Sequence, residues 1–380
     1  MSKDQHTYPM PALFGAALLS MVMGQVHAFS VFLEPLESHY GAARSQVSLS
    51  YSFSLIAITT SVLVGHRAYG LVAPPLIALF AGALALVGLF IAIISPGIAG
   101  VWIGFGAVFG FANGIGYGFA LQYSARALPD KAGLAMGVVT AAYALGAVLA
   151  PAPLEMALAE GPGAGFAVMM LIITIGAVTA GVSFRASGIR YAQDAGKDAT
   201  SRAPEGVAIR WCAYGAGVLA GLMVIGHAAG ISQAIAPGLA GWIAATVVAG
   251  ANLAGALICG WLADRIAHQR LLTALPLCSA FALAVLAFMP QAGLLPALAL
   301  IGFAYGGTIA VWPAAIAKSC GDNGPLVYGR VFTAWGVAGL LGPWSAGAIF
   351  DRTAIYDPAL WLALGLAIAA ACLVWFFVVE

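Results

Sequence analysis

Apolar runs long enough to cross a lipid bilayer follow one another along almost the whole chain. With the bounds given below, none of them contains a charged residue. A helix needs about 20 apolar residues to cross the hydrocarbon layer, where its backbone N–H and C=O groups must be paired within the segment. Breaks at charged, Pro or Gly clusters predict twelve such helices. They run from Pro11 to Leu33, Ser45 to Val64, Ala73 to Ile94, Ala99 to Tyr123, Leu134 to Ala150 and Gly165 to Phe184. The second six run from Trp211 to Ile231, Leu239 to Leu262, Leu271 to Met289, Leu294 to Ile316, Val331 to Phe350 and Leu360 to Val379. The first run follows a single lysine, Lys3, with no A-x-A site behind it, and reads as a membrane helix rather than a removable signal peptide.

A soluble core of 380 residues has no means of hiding this much apolar surface. Hydrophobic residues make up 62% and charged residues 8%, where soluble domains carry about 25% charge. The reading is an all-α membrane protein whose first partner is the lipid bilayer. A net charge of +1 without any Lys/Arg cluster excludes nucleic acid as a partner. The five cysteines show no C-x-x-C spacing and read as packing residues, so neither a metal nor a cofactor is expected. An enzyme is excluded on inventory, since no G-x-S-x-G, H-E-x-x-H or phosphate-binding glycine loop appears.

Loop charges set the orientation, because Lys and Arg accumulate on the cytoplasmic side. With the N-terminus inside, 13 of the 15 basic residues fall in cytoplasmic segments and only Arg44 and Arg352 outside. Both termini are therefore expected in the cytoplasm of a plasma membrane, a bacterial inner membrane by preference. The longest polar stretch, Arg185 to Arg210, lies between the sixth and seventh helices and reads as a cytoplasmic linker. It divides the chain into halves 1–184 and 211–380, joined by 185–210. The halves echo each other: Gly24 and Pro35 match Gly226 and Pro237, both displaced by 202 positions. That is the pattern of a duplicated transporter.

The loop after helix 8, Gly260-Trp-Leu-Ala-Asp264-Arg265, resembles the G-x-L-A-D-R signature of the major facilitator superfamily. Its first-half counterpart, Gly65-His-Arg67-Ala-Tyr-Gly70, keeps the glycine and a basic residue but lacks the Asp. Three further segments, Gly24 to Ser52, Ala125 to Gly137 and Gly329 to Asp351, resemble the oxalate/formate antiporter and monocarboxylate transporter branch. The resemblance implies twelve helices in two pseudo-symmetric six-helix halves, alternating access, a monomer, and a small carboxylate as substrate. Arg67, Asp264 and Arg265 become the expected cytoplasmic latch. The chain departs from the branch in one respect. Relatives place basic residues within helix 8 or 11 to hold the carboxylate, and none occurs from Leu239 to Leu262 or from Val331 to Phe350. The alternative class, export of lipophilic compounds by proton antiport, goes with a G-x-x-x-G-P motif in helix 5. Here that helix ends Gly146-Ala-Val-Leu-Ala-Pro151.

Polar groups within a bilayer are costly and mark function. In transporters of this fold helices 1, 4, 7 and 10 line the cavity. Helix 1 carries Ser20, Gly24, His27 and Glu34 on one stripe, which makes His27 the leading substrate contact and Gln25 the second. Helix 4 offers Asn113 and Tyr117, helix 7 His227, helix 8 Asn252, and helix 10 Tyr305, Thr308 and Trp312. The competing reading for each is helix–helix glue. Glu34, Glu37, Arg44, Asp351 and Arg352 cluster at the predicted outer ends and form a candidate outer gate. No Asp or Glu lies mid-span. Proton coupling, if present, is expected on His27, His227 or the substrate acid, with exchange or facilitated diffusion as the alternative.

Overall fold

The structure, a computed structural model, describes residues 8–65, 69–191, 206–263, 265–320 and 324–378. Among them, twelve long helices follow in order: α1 (Pro9–Tyr40), α2 (Arg44–Gly65), α3 (Pro74–Ile94), α4 (Ile98–Ala127), α5 (Leu134–Leu158) and α6 (Pro162–Ser187). Then come α7 (Val207–Ile225, continued as Ala228–Ile235), α8 (Gly241–Ala263), α9 (His268–Phe288), α10 (Pro290–Cys320), α11 (Gly324–Thr353) and α12 (Asp357–Phe377). Eleven are long and apolar enough to cross a membrane. The twelfth, α11, has an apolar stretch diluted by glycine, tryptophan, serine and proline. Large apolar side chains such as Phe80, Phe281 and Phe376 are exposed, whereas Ser20, Asn113 and His227 are buried. That inversion suits a lipid solvent.

The helices outrun the apolar runs that predicted them. α1 continues to Tyr40 rather than ending at Leu33, and α10 spans Pro290–Cys320 rather than Leu294 to Ile316. Hydropathy registers only the hydrocarbon layer, while helical hydrogen bonding continues through polar residues beyond it. Within α1, residues Gln25–Phe32 tighten into a 3₁₀ segment, and Trp102–Phe109 of α4 widen into a π segment. Such departures mid-helix are frequent at hinges and functional sites.

Helix 7 was expected unbroken from Trp211 to Ile231, and it is not. Its first segment ends at Ile225, and His227 leaves helical geometry with φ −121° and ψ 13°. The His227 N–H reaches back three residues to the Val224 carbonyl at 3.1 Å, which tightens the chain before the second segment starts. α1 and α7 thus depart from regular helix just after the matched glycines, Gly24 and Gly226. A Cβ on Gly24 would run into the Tyr143 carbonyl of α5, and one on Gly226 would press on Pro343 of α11 at 3.1 Å. The two glycines bear the same relation to the fifth helix of their half, which is the internal repeat expressed in packing.

Contacts divide the chain into two compact units, Met1–Val26 with Ala57–Lys197, and His27–Ile56 with Asp198–Glu380. In the first, α1 packs on α4, α5 and α6, and α3 packs on α6. In the second, α7 packs on α11 and α12, α9 on α12, and α8 on α10. The α8–α10 approach is backbone to backbone, since a Cβ on Gly255 would strike the Phe303 carbonyl. Small residues permit such close approach in membranes.

Candidate functional site

The second unit holds a polar cluster built by the end of α1, the start of α2, the broken centre of α7 and the α11–α12 connection. Gly41, with φ 59°, ends α1 and lets the chain turn directly into α2. The turn puts Arg44 back over the last turn of α1. Its guanidinium grips Glu37 through two parallel bonds, Nε to Oε1 at 2.5 Å and Nη2 to Oε2 at 2.7 Å. Nη1 donates to the Tyr356 hydroxyl at 2.9 Å, and the guanidinium carbon lies 4.1 Å from the centre of the Phe350 ring. The planar fork of arginine suits both contacts at once.

Asp351, at the end of α11, accepts the backbone N–H groups of Arg44 and Ser45 at 2.8 and 2.9 Å. It caps the positive N-terminal end of α2 from another helix. Tyr356 follows Ala354, which adopts the left-handed region with φ 58°. That conformation costs a non-glycine residue about 1–2 kcal/mol, and it brings the chain round so that Tyr356 is buried at 3% exposure. Burial raises the pKa of this phenol, so it keeps an O–H to donate. His227 meets it there: Nδ1 lies 3.0 Å from the Tyr356 hydroxyl, while Nε2 lies 2.8 Å from the Pro343 carbonyl oxygen and 3.1 Å from Ser48 Oγ.

The expected outer gate is thus regrouped. Arg44 and Asp351 are brought together, with Glu37 as the paired acid; Glu34 and Arg352 are exposed and take part in no ion pair among the described residues. Tyr356, Ser48, Phe350 and the Pro343 carbonyl were not legible as members. Only the final fold carries them to one point, although Ser48 and Pro343 lie in segments that resemble the antiporter branch.

Along α2 in the same unit, Ser50, Ser52 and Ser54 are fully buried, as is Ser30 on α1 at 2% exposure. None of these four hydroxyls has a hydrogen-bond partner among the described residues. A buried hydroxyl without a partner is costly, and the serine at every second position of α2 was a sequence signal that went unused. His27 belongs here too, its Nδ1 2.6 Å from the Tyr51 hydroxyl, with the Tyr51 ring stacked on Phe29.

Other candidates sit deeper in each unit. In the first, Asn113 is wholly buried; its amide donates to the Met23 carbonyl at 2.6 Å and accepts from the Tyr143 hydroxyl at 3.1 Å. Tyr117 packs on the same Tyr143 with ring centres 4.6 Å apart. Gln25 donates to the Val22 carbonyl at 2.7 Å, and its buried Oε1 has no partner among the described residues. In the second unit, Tyr305 accepts the Trp335 indole N–H at 2.8 Å, so its own proton is the donor that remains. Thr308 bonds back to the Ala304 carbonyl, and Trp312 stands edge-on to Tyr214. Asn252 is half-buried against Gly306 of α10, where a Cβ would strike its backbone carbonyl. Of the expected cytoplasmic latch, Arg67 and Asp264 lie outside the described residues. Arg265 covers the Trp261 ring at 3.8 Å.

No family model matches the sequence. Solved structures do match it over nearly its full length. The xylose transporter XylE from E. coli, in an inward-open conformation, superposes with a TM-score of 0.77 at 14% identity, over 98% of this chain and 97% of that one. A crystal structure of the D-xylose-proton symporter gives 0.75 at 13%, over 98% and 99%. At the sequence level, the uncharacterized MFS-type transporter YhjX of Escherichia coli is 26% identical over 346 residues, covering 86% of this chain and 85% of its own. The oxalate:formate antiporter of Oxalobacter formigenes is 25% identical over 315 residues, covering 78% and 73%.

The chain resembles transporters of the major facilitator superfamily in sequence and shares the fold of the xylose transporters.

Its relatives in sequence are transporters rather than enzymes, and its long apolar helices are those of a multi-pass membrane protein. The polar cluster joins residues 37–48, which precede the linker, to residues 227–356, which follow it. Its contacts are hydrogen bonds and one ion pair, each weak singly and each replaceable by water.

Proposed function

We propose that this protein carries a small organic solute, a small carboxylate by first choice, across a bacterial inner membrane by alternating access. Both termini and the linker face the cytoplasm, residues 1–184 and 211–380 act as the two moving halves, and the protein works as a monomer. The 13-to-2 division of basic residues supports the orientation, and the bacterial relatives support the membrane. The carboxylate class is supported by the relative that is an oxalate:formate antiporter.

The observation that carries the reading is the cluster around Arg44, read as the outer gate in its closed state. Four buried hydroxyls in the same unit, those of Ser30, Ser50, Ser52 and Ser54, have no partner among the described residues and would regain water when the gate opens. A purely structural seam would be expected to be apolar. Since neither α8 nor α11 carries a basic residue from Leu239 to Leu262 or from Val331 to Phe350, the substrate's oxygens are left to neutral donors. The phenols of Tyr117 and Tyr305, one in each unit, are the first candidates. The further candidates are Gln25 and Asn113 in the first unit, and His27, His227, Asn252, Thr308 and Trp312 in the second.

Counterflow in proteoliposomes tests the substrate class. Vesicles are loaded with one small mono- or dicarboxylate and offered labelled oxalate, formate, pyruvate or lactate outside, with D-xylose and a lipophilic cationic dye as competitors. Exchange of at least one carboxylate, unaffected by xylose or dye, is the expected result. Xylose exchange without carboxylate exchange would refute the class, and proton-driven expulsion of the dye would establish the exporter instead.

A further inference from the structure

The Arg44 cluster contains a titratable ring whose hydrogens can be assigned from its neighbours. His227 Nε2 faces the Pro343 carbonyl oxygen at 2.8 Å, and a carbonyl only accepts. Its other neighbour, Ser48 Oγ, spends its own proton on the Arg44 carbonyl at 2.7 Å. Nε2 therefore bears hydrogen. In a neutral ring Nδ1 is then the acceptor, and it takes the Tyr356 O–H at 3.0 Å. The same phenol oxygen accepts from Arg44 Nη1 at 2.9 Å. Donors thus run in one direction, from Arg44 through Tyr356 and His227 to Pro343.

A second proton on the ring has no place in that chain. It would sit on Nδ1 and point at an oxygen that already accepts from a guanidinium, and the Tyr356 proton would lose its acceptor. Because that oxygen lies about 3 Å from each nitrogen, the two positive charges would stand no more than about 6 Å apart, a distance at which like charges repel strongly in a dry site. The charged and titratable groups around the ring are Arg44 from α2, Tyr356 from the α11–α12 connection, Asp351 from α11 and Glu37 from α1. Glu37 is engaged by Arg44 and Asp351 by the α2 backbone, and His227 itself is fully buried.

We propose that His227 is a proton-binding site of this transporter, occupied only when the Arg44 cluster has come apart, so that acid on that side of the membrane holds the gate open. The proposal rests on reading the cluster as a gate. An imidazole in water titrates near 6.5, so each pH unit below that favours the open gate by about tenfold. Between pH 7.5 and pH 5 the ratio of open to closed shifts by about 30-fold. The sign follows from linkage: the closed state, which accommodates only the neutral ring, is stable above the titration range and is lost as pH falls through it.

The test reads a distance, so its failure leaves the counterflow result standing. In full-length protein with the native cysteines replaced, Ser38→Cys on α1 and Ile355→Cys beyond α11, both exposed, carry spin labels in lipid nanodiscs. The short label–label distance should dominate at pH 7.5 and give way to longer distances by pH 5. His227→Gln, whose amide can donate to Pro343 and accept from Tyr356, should keep the short distance throughout, and His39→Gln, at an exposed histidine, should respond like the parent. As a second measurement, the histidine NMR signal lost in His227→Gln should titrate in step with the distance. A parent distance that ignores pH, a pH response that survives in His227→Gln, or a His227 signal that titrates independently of the distance would each overturn the proposal.

Discussion

Replacing Asp351 by Ala removes the carboxylate that caps α2 while leaving the Arg44–Glu37 pair in place. Two backbone N–H groups at 2.8 and 2.9 Å lose their acceptor, and the N-terminal end of α2 loses a facing negative charge. Loss of a helix cap typically costs about 1 kcal/mol. The charge–dipole contribution adds about 0.3–1 kcal/mol at an exposed site, and Asp351 is exposed. The closed arrangement should therefore weaken by about 1–2 kcal/mol, a factor of about 5–30 in its equilibrium. Ser50 is fully buried on α2, the helix that Asp351 caps, so Ser50→Cys in a background without native cysteines reports opening through its rate of reaction with a soluble thiol reagent. That rate should rise by about 5- to 30-fold in Asp351→Ala. Asn caps helices nearly as well as Asp, so Asp351→Asn should restore most of the protection and retain only the smaller charge loss. A rate unchanged in Asp351→Ala, or Asn and Ala variants equally reactive, would refute the capping role.

Three further outcomes are expected. Ala186→Cys should resist an impermeant thiol reagent in intact cells and react in inverted vesicles, with Ser38→Cys showing the reverse; the opposite pattern would overturn the orientation. Gly24→Ala and Gly226→Ala should lower the melting temperature of detergent-purified protein, with overpacking costing about 1–3 kcal/mol and Gly24 the worse affected because its obstacle is backbone. Gly137→Ala, with open space around it, should leave that temperature within a degree or two. Tyr305→Phe removes a donor without changing shape, and in counterflow should weaken substrate affinity about 5- to 150-fold, as expected for the loss of about 1–3 kcal/mol. Unchanged affinity would remove Tyr305 from the substrate's contacts.

The long apolar helices were legible because lipid imposes a rule on each segment separately. A helix in hydrocarbon must be apolar over about 20 residues whatever its neighbours are. The repeat was legible for a related reason: Gly24 and Gly226 answer to the same close approach in each half, so the requirement is written at one position apiece. Helix ends were read less well, as at Tyr40 and Cys320, since nothing in hydropathy marks where hydrogen bonding stops once water is available. Arg44 and Asp351 were visible as charges near helix ends. Their roles were not, because an Asp that caps a helix 307 positions away looks in sequence like any solvated loop acid.

What tertiary structure alone decided is the cluster around His227. The sequence determined that a histidine stands in the seventh crossing, that a glycine precedes it, and that no carboxylate lies mid-membrane to share a proton with it. It did not contain the break in α7 at that residue, nor the left-handed turn at Ala354 that returns Tyr356 to the ring. It also did not contain the choice of tautomer, which depends on a carbonyl of α11 at one nitrogen and a phenol at the other. Hydrophobic crossings are specified locally, residue by residue, against a uniform solvent. A hydrogen-bond chain is specified by directions and distances of a few tenths of an ångström among residues far apart in sequence, and those exist only once the helices have packed.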